Sequence, residues 1–213
     1  RIIVSSRPTK ATQYWDPVSK TNKQIKQKTL KVKEIKTGKI FAAKISFVEI
    51  EDNSDKDIQN LFREVSIISK LNHPSVLKFV GYSPINFKQK SKPVIITELA
   101  SNGSLEELLQ DQSNPILDDT LKLMIIYGIA SAMSYIHFHK YVHFRKIIHR
   151  DLKPANILLD DLYLPKIADF GMSKFNKNTT SISTPGYKGT PIYMAPEIWI
   201  RQEYSKSVDV YAF

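Results

Sequence analysis

One stretch limits this chain more than any other: Ile147-Ile148-His149-Arg150-Asp151-Leu152-Lys153-Pro154-Ala155-Asn156-Ile157-Leu158-Leu159. Asp169-Phe170-Gly171 and Ala195-Pro196-Glu197 follow it in that order. Aspartate is a common turn residue, so Asp151 or Asp169 taken singly reads equally well as a capping group. That alternative weakens when three short motifs stand in a fixed order, because the false-positive risk of each is reduced by the others.

Composition sets the outer limits. At 213 residues the chain forms one large domain or two small lobes, and 42% hydrophobic residues suffice for a core. Without cysteine there is neither a disulfide framework nor a thiolate metal site, so an intracellular, cytoplasmic setting is expected. The longest apolar run, 121–136, is interrupted by Lys122, Gly128 and serines, and no membrane span is expected from it. No signal peptide is visible, and a start at Arg1 reads as a fragment. Residues 1–44 hold 12 Lys or Arg against Asp16 and Glu34, while 45–213 carry 19 of each sign, so the whole net charge of +10 lies in the first fifth. Such a run reads first as a solvated segment. Nucleic acid is not an expected partner, because no aromatic interleaving accompanies the lysines.

The central stretch resembles the catalytic loop of protein kinases. It matches H-R-D-L-x-x-x-N at every fixed position, and D-F-G and A-P-E follow. The resemblance implies phosphoryl transfer from ATP, in which a protein mainly positions a hydroxyl in line and neutralises charge on the transferred phosphate. By that resemblance Asp151 accepts the hydroxyl proton and Lys153 lies near the transferring phosphate. Asn156 and Asp169 hold Mg2+ ions that bridge the phosphates, hard oxygen ligands suiting a hard cation. Lysine at 153 is similar to the serine/threonine-specific branch. Gly189-Thr190-Pro191-Ile192-Tyr193-Met194-Ala195-Pro196-Glu197 is similar to serine/threonine or tyrosine-kinase-like enzymes, and the chain is placed in the tyrosine-kinase-like group.

Earlier in the chain, Leu30 and Val32, the Thr37-Gly38 turn and the run 39–45 read as a hairpin. Phe41-Ala42-Ala43-Lys44 stands where the family has V-A-I-K, which implies that Lys44 contacts the α/β-phosphates; the alternative is an exposed strand lysine. Segment 57–71 reads as an amphipathic helix with Ile58, Leu61, Phe62, Val65, Ile68 and Leu71 on one face, stopped by Asn72-His73-Pro74. Glu64 matches the helix-C glutamate that partners Lys44, or else faces solvent beside Arg63. Segments 76–82 and 93–97 read as strands. The second runs into Glu98-Leu99-Ala100, which resembles the hinge: Thr97 gates the back pocket, backbone groups of Glu98 and Ala100 meet the adenine edge, and Leu158 belongs to the same cofactor set. His73 receives no ligand role.

Asp118 or Asp119 caps a helix reaching about residue 139, whose stripe of Leu121, Met124, Ile125, Ile129, Met133 and Ile136 reads as core. Residues 141–146 look like an insertion, expected to extend the helix or bulge from the surface. His139 and His143 lack a third ligand and are not read as a zinc site. Segment 172–188 resembles an activation segment, with Thr179, Thr180, Ser181, Ser183 and Thr184 as candidate phosphosites near Arg150.

The resemblance covers 29–213 and implies an α+β, bilobal protein-kinase-like fold: a small antiparallel sheet plus helix C in the N-lobe, a mainly helical C-lobe, incomplete at both ends. Residues 1–28 form a basic leader outside the pattern, 29–97 the N-lobe, 98–103 the hinge and 104–213 a truncated C-lobe. The implied function is a protein serine/threonine kinase using ATP and Mg2+, with a protein substrate and an upstream activating kinase as partners. The alternative is a catalytically impaired kinase-like binding module. Two departures bear on that choice. No glycine precedes Gly38, so the positions of G-x-G-x-x-G-x-V fall, counting back from Lys44, at Asn22, Gln24, Gln27 and Thr29. The chain also ends at Asp209-Val210-Tyr211-Ala212-Phe213, inside what resembles the central C-lobe helix. Glu197 is therefore expected to lack its arginine partner and the fragment to be less stable than a full domain.

Overall fold

The computed structural model describes residues 2–8, 27–46, 56–111, 117–138, 146–176, 190–200 and 203–213. The chain divides into two compact units, Arg1–Val65 with Phe79–Leu99 and Ser66–Lys78 with Ala100–Phe213.

The first unit is built on an antiparallel five-stranded sheet. Its strands are β1 (Ile2–Pro8), β2 (Gln27–Glu34), β3 (Ile40–Ser46), β4 (Phe79–Ser83) and β5 (Val94–Glu98), in the order β1-β2-β3-β5-β4. Period-two alternation in β2 sends Leu30 and Val32 to a core with Ala43, Val94 and Ile96, and leaves Lys31 and Lys33 exposed. Gly38 closes the β2–β3 hairpin at φ 73°, a left-handed conformation that glycine adopts without a Cβ penalty. The sequence reading assigned no element within 1–28. The structure pairs β1 with β2, Ile2 opposite Glu34 and Val4 opposite Val32, and β2 itself begins at Gln27. Ile2-Ile3-Val4 is a β-branched run too short to show alternation.

Helix α1 (Lys56–Ile68) differs from its expected face. Leu61, Glu64, Ile67, Ile68 and Leu71 are buried, whereas Phe62 is 45% exposed and leans on Tyr82 with ring centroids 6.0 Å apart. The inward row runs through Glu64, and this rotation takes Ile67 in and leaves Phe62 at the rim.

The second unit contains α2 (Leu105–Gln110), α3 (Asp119–Phe138), β6 (Lys146–Ile148), β7 (Ile157–Leu159), β8 (Pro165–Ile167), β9 (Lys174–Asn176), α4 (Pro196–Trp199) and α5 (Ser207–Ala212). β6 pairs with β9 and β7 with β8, both antiparallel. Ser104 and Glu107 form a reciprocal capping box that starts α2. Asp118 caps α3, its Oδ1 accepting from Leu121 N at 2.7 Å. Ile125, Ile129, Met133 and Ile136 are buried as expected, but Met124 is 46% exposed. Leu123, Ile126 and Tyr127 are exposed too, so α3 is apolar on both faces and its sequence could not tell them apart. At 20 residues α3 is long and apolar enough to cross a membrane by length and composition, yet seven of its residues are buried within the unit. Of the segment 141–146 only Lys146 is described, opening β6; His139, His143 and the rest lie outside the described residues.

At Gly128, α3 passes close against β8. A Cβ there would stand 2.5 Å from Pro165 Cγ and 3.1 Å from Ser75 Oγ. Alanine favours a helix over glycine by about 1 kcal/mol, but overpacking against a rigid ring costs about 1–3 kcal/mol. Gly128→Ala is therefore expected to lower the urea midpoint, and an unchanged or raised midpoint would show that Pro165 yields.

His73 ties the turn after α1 to α3. Its Nδ1 accepts from Ser75 N at 3.1 Å, its Nε2 lies 3.2 Å from Ser131 Oγ, and its ring lies 5.1 Å from that of Tyr135. Tyr135 accepts in turn from Asn72 N, while Lys166 donates to Pro74 O. An Nδ1 that accepts must be unprotonated, so the network selects the neutral ring with the proton on Nε2. Burial first, and the Lys166 charge second, hold this imidazole below its ordinary value of 6.5. A lowered folded-state value means that the unfolded chain takes up the proton first. This contribution to stability is full above about pH 6.5 and is lost as the pH falls from there toward the folded value. Urea stability should drop more between pH 7.5 and 5.5 in the parent than in His73→Gln; equal drops would remove His73 as the cause.

Candidate active site

In the first unit, β3 carries Lys44 opposite Thr29 of β2 and Ile95 of β5. Its Nζ meets Glu64 Oε1 at 2.8 Å. Glu64 is only 4% exposed, which rules out the solvent-facing alternative and fixes the lysine by an ion pair. A charge held in this way is directed, since separating the pair takes this counter-charge from a buried carboxylate. Thr97 is buried at the end of β5 and donates to Glu98 O at 3.0 Å; Glu98 lies opposite Phe41.

Of the residues expected to meet the cofactor, the second unit holds Ala100, half-exposed, and Leu158, half-buried in β7 opposite Lys166. The catalytic loop is the denser construction. Asp151 is 9% exposed, and four hydrogen-bond donors surround its carboxylate. Oδ1 accepts from Thr190 N at 3.1 Å and Thr190 Oγ1 at 2.9 Å. Oδ2 accepts from Asn156 Nδ2 at 2.9 Å and lies 3.1 Å from Lys153 Nζ, which also donates to Thr190 Oγ1 at 2.6 Å. Asp151, Lys153 and Asn156 are thus brought into one cluster, as their spacing predicts. Pro154 starts the single tight turn that folds Asn156 back on Asp151.

Asn156 shows how a cation fits. Its Nδ2 donates to both Asp151 O, at 2.7 Å, and Asp151 Oδ2, so both amide protons are committed. Oδ1 is the atom left to coordinate. Asp169 adds an exposed carboxylate on a residue at φ 60°, one oxygen accepting from Gly171 N at 3.3 Å. Among the described residues no group of three or more His, Asp or Glu could hold a metal. Two oxygen-bearing side chains suit a divalent cation that keeps water and takes its other ligands from phosphate, rather than one caged by protein.

The support beneath these residues was not legible in the sequence. His149 and Arg150 donate their backbone N–H groups to Asp209 Oδ2 and Oδ1, both at 2.8 Å, and His137 Nε2 meets Asp209 Oδ2 at 2.8 Å. His149 Nε2 lies 3.1 Å from Ala168 O, and its ring meets Phe170 edge-on at 5.0 Å, which ties the Asp151 loop to the Asp169 turn. Thr190, His137 and Asp209 therefore hold this loop in place, although nothing in the sequence assigns them that part. The only signals were a threonine next to the A-P-E segment and an acid in an otherwise apolar end segment.

Glu197, expected to lack its arginine partner, accepts at Oε1 from Ser207 Oγ at 3.2 Å, a short-range bond within the same unit. The candidate phosphosites from Thr179 to Thr184 lie outside the described residues, as do Asn22 and Gln24.

Residues 27–213 match the profile of a family described as the protein kinase domain. The chain is 36% identical over 158 residues to cysteine-rich receptor-like protein kinase 42 of Arabidopsis thaliana, covering 73% of this chain and 23% of that protein. It is 35% identical over 164 residues to serine/threonine-protein kinase CTR1 of Arabidopsis thaliana, covering 76% and 19%. A putative L-type lectin-domain containing receptor kinase V.2 from the same plant is 33% identical over 183 residues, covering 83% and 27%. The alignments thus span between 19% and 27% of these relatives' lengths.

Proposed function

The chain belongs to the protein kinase domain family, and from that premise we propose that it transfers the γ-phosphoryl group of ATP to a serine or threonine hydroxyl of a protein substrate, with Mg2+ as the cation. The observation that carries this reading is the Asp151 carboxylate, fixed on both oxygens by Thr190, Asn156 and Lys153. Bound ATP with its cation supplies the transferable group and much of the charge neutralisation. The chain's own residues do the rest. Asp151 receives the proton of the incoming hydroxyl, and its fixed orientation removes the entropy of finding the right approach. Lys153 brings an ammonium group beside that carboxylate, where negative charge develops on the transferred phosphoryl. Asn156 Oδ1 and the Asp169 carboxylate hold the cation, and Lys44, aimed by Glu64, meets the α/β-phosphates. The nucleoside contacts are assigned by the resemblance to Thr97 and Glu98 in the first unit and to Ala100 and Leu158 in the second. Labelled ATP, Mg2+ and a generic basic protein test the reading: phosphoserine or phosphothreonine is expected. Phosphotyrosine, or incorporation no greater than that of Asp151→Asn, overturns it. An upstream kinase acting on the 172–188 segment belongs to the same proposal.

One observation favours a second reading, an impaired nucleotide binder. Asn22, Gln24 and Gln27 stand where the family has glycines. Side chains there hinder the close approach of backbone N–H groups to phosphate, and a required φ > 0 costs about 1–3 kcal/mol per residue. One such cost weakens binding about tenfold. Introducing glycine at 22, 24 and 27 with valine at 29 is expected to tighten ATP–Mg2+ at least about tenfold in a titration. Equal affinity would favour the first reading unmodified.

A further inference from the structure

Arg150 is the most constrained residue of the catalytic loop. Its φ of 68° is left-handed although it bears a side chain, and it is 6% exposed, so a strained backbone carries a buried cation. Among the described residues no carboxylate lies on its guanidinium; the Asp209 oxygens accept from the backbone N–H groups of His149 and Arg150. The fork instead meets two neutral oxygens. One terminal nitrogen donates to the Tyr204 hydroxyl at 3.0 Å and the other to Met172 O, while Nε is buried with no partner among the described residues. With two such bonds among the described residues, the buried charge depends heavily on each, because hydrogen bonds to ionised groups are about twice as strong as neutral ones.

The two acceptors differ in kind. Met172 O belongs to the turn that Asp169 begins, so the planar guanidinium connects the backbone next to Asp151 with the Asp169 turn. Tyr204 is fixed from elsewhere: its ring packs with Ile148, Ala195 and Val208 in a buried cluster, and Ile198 lies against it. A rigid fork held at one corner by a core residue has its rotation set there. We propose that Tyr204 is a positioning residue for phosphoryl transfer, acting through Arg150 to hold Asp151 and the Asp169 turn in register.

The inference rests on the phosphotransfer reading, and the experiment separates the two. Tyr204→Phe keeps the ring in its cluster and deletes the hydroxyl. Tyr135→Phe is the control, since it deletes another hydroxyl of the same unit that accepts a backbone N–H, from Asn72, without touching Arg150. At a temperature well below both melting midpoints, Tyr204→Phe is expected to lower kcat about tenfold with KM for ATP within about twofold, the pattern of an interaction felt in the transition state. Tyr135→Phe should leave kcat per folded molecule unchanged. Amide exchange supplies a readout that needs no turnover: residues 149–152 and 172–173 should exchange faster in Tyr204→Phe, while β7 and β8 should not. If the parent chain shows no phosphotransfer, the proposed function fails and the exchange pattern still decides the positioning role. Unaltered exchange at 149–152, or a uniform rise across the unit with kcat preserved, overturns the inference.

Discussion

Asp151→Asn is expected to lower the rate of phosphoryl transfer by about 10²–10⁴-fold, the usual contribution of a positioned general base. Asparagine matches the carboxylate in size but not in hydrogen-bonding capacity. Thr190 presents two donors to one oxygen, and Asn156 and Lys153 present theirs to the other. An amide can accept on one side only, so its NH2 group must face a donor on the other. The variant therefore loses the proton acceptor and also strains the cluster, with about 1–3 kcal/mol of local destabilisation from an unmade buried bond. Melting each protein by circular dichroism separates these effects, because a loss of 10²-fold or more in a variant that stays folded at the assay temperature belongs to chemistry. Activity within tenfold of the parent would remove Asp151 as the base and shift weight to positioning by Thr190 and Lys153.

The residues that were legible share a property. Asp151, Lys153 and Asn156 lie within six consecutive residues, and the Pro154 turn that folds them together is itself local, so the motif that carries the resemblance also spans the geometry. Lys44 and Glu64 are 20 residues apart, yet each sits in an element whose period was visible, and the resemblance paired them. The supports have no such signal. Thr190 reaches Asp151 across 39 positions and Asp209 reaches His137 across 72, and neither separation leaves a mark on the sequence until the chain is folded. Misplaced faces have another cause. The stripe drawn through Phe62 assumed that a helix buries its apolar residues first, whereas α1 turns an acid inward to meet Lys44 and leaves a phenylalanine half in water. On α3 the apolar residues surround the whole helix, so Met124 could be assigned to either side. The Ser207 hydroxyl that meets Glu197 from ten residues away is a local bond that no motif marks.

The largest effect on stability is expected at Asp209, in α5. It is 1% exposed and accepts three hydrogen bonds, from the backbone N–H groups of His149 and Arg150 and from His137 Nε2, each 2.8 Å long. Asp209→Ala leaves all three donors buried without an acceptor. Each orphaned donor costs about 1–3 kcal/mol, and loss of one partner from a buried charged network typically costs about 3–5 kcal/mol in total because the parts are not additive. That is a large share of the 5–15 kcal/mol available to an ordinary domain. The consequence reaches the chemistry as well, since Arg150 holds φ 68° and the N–H bond to Asp209 is one of the contacts that keeps it there. Backbone strain next to Asp151 would then relax, and the Asp151 carboxylate would move with it. Urea unfolding should therefore show Asp209→Ala several kcal/mol below the parent. In the double variant His137→Phe and Asp209→Ala, the added cost of the second change should be smaller than its cost alone, because one orphaned donor has been removed. A loss under about 1 kcal/mol in the single variant would mean that water or a neighbouring acceptor replaces the carboxylate. Strict additivity in the double variant would mean that His137 does not depend on Asp209 for its hydrogen bond.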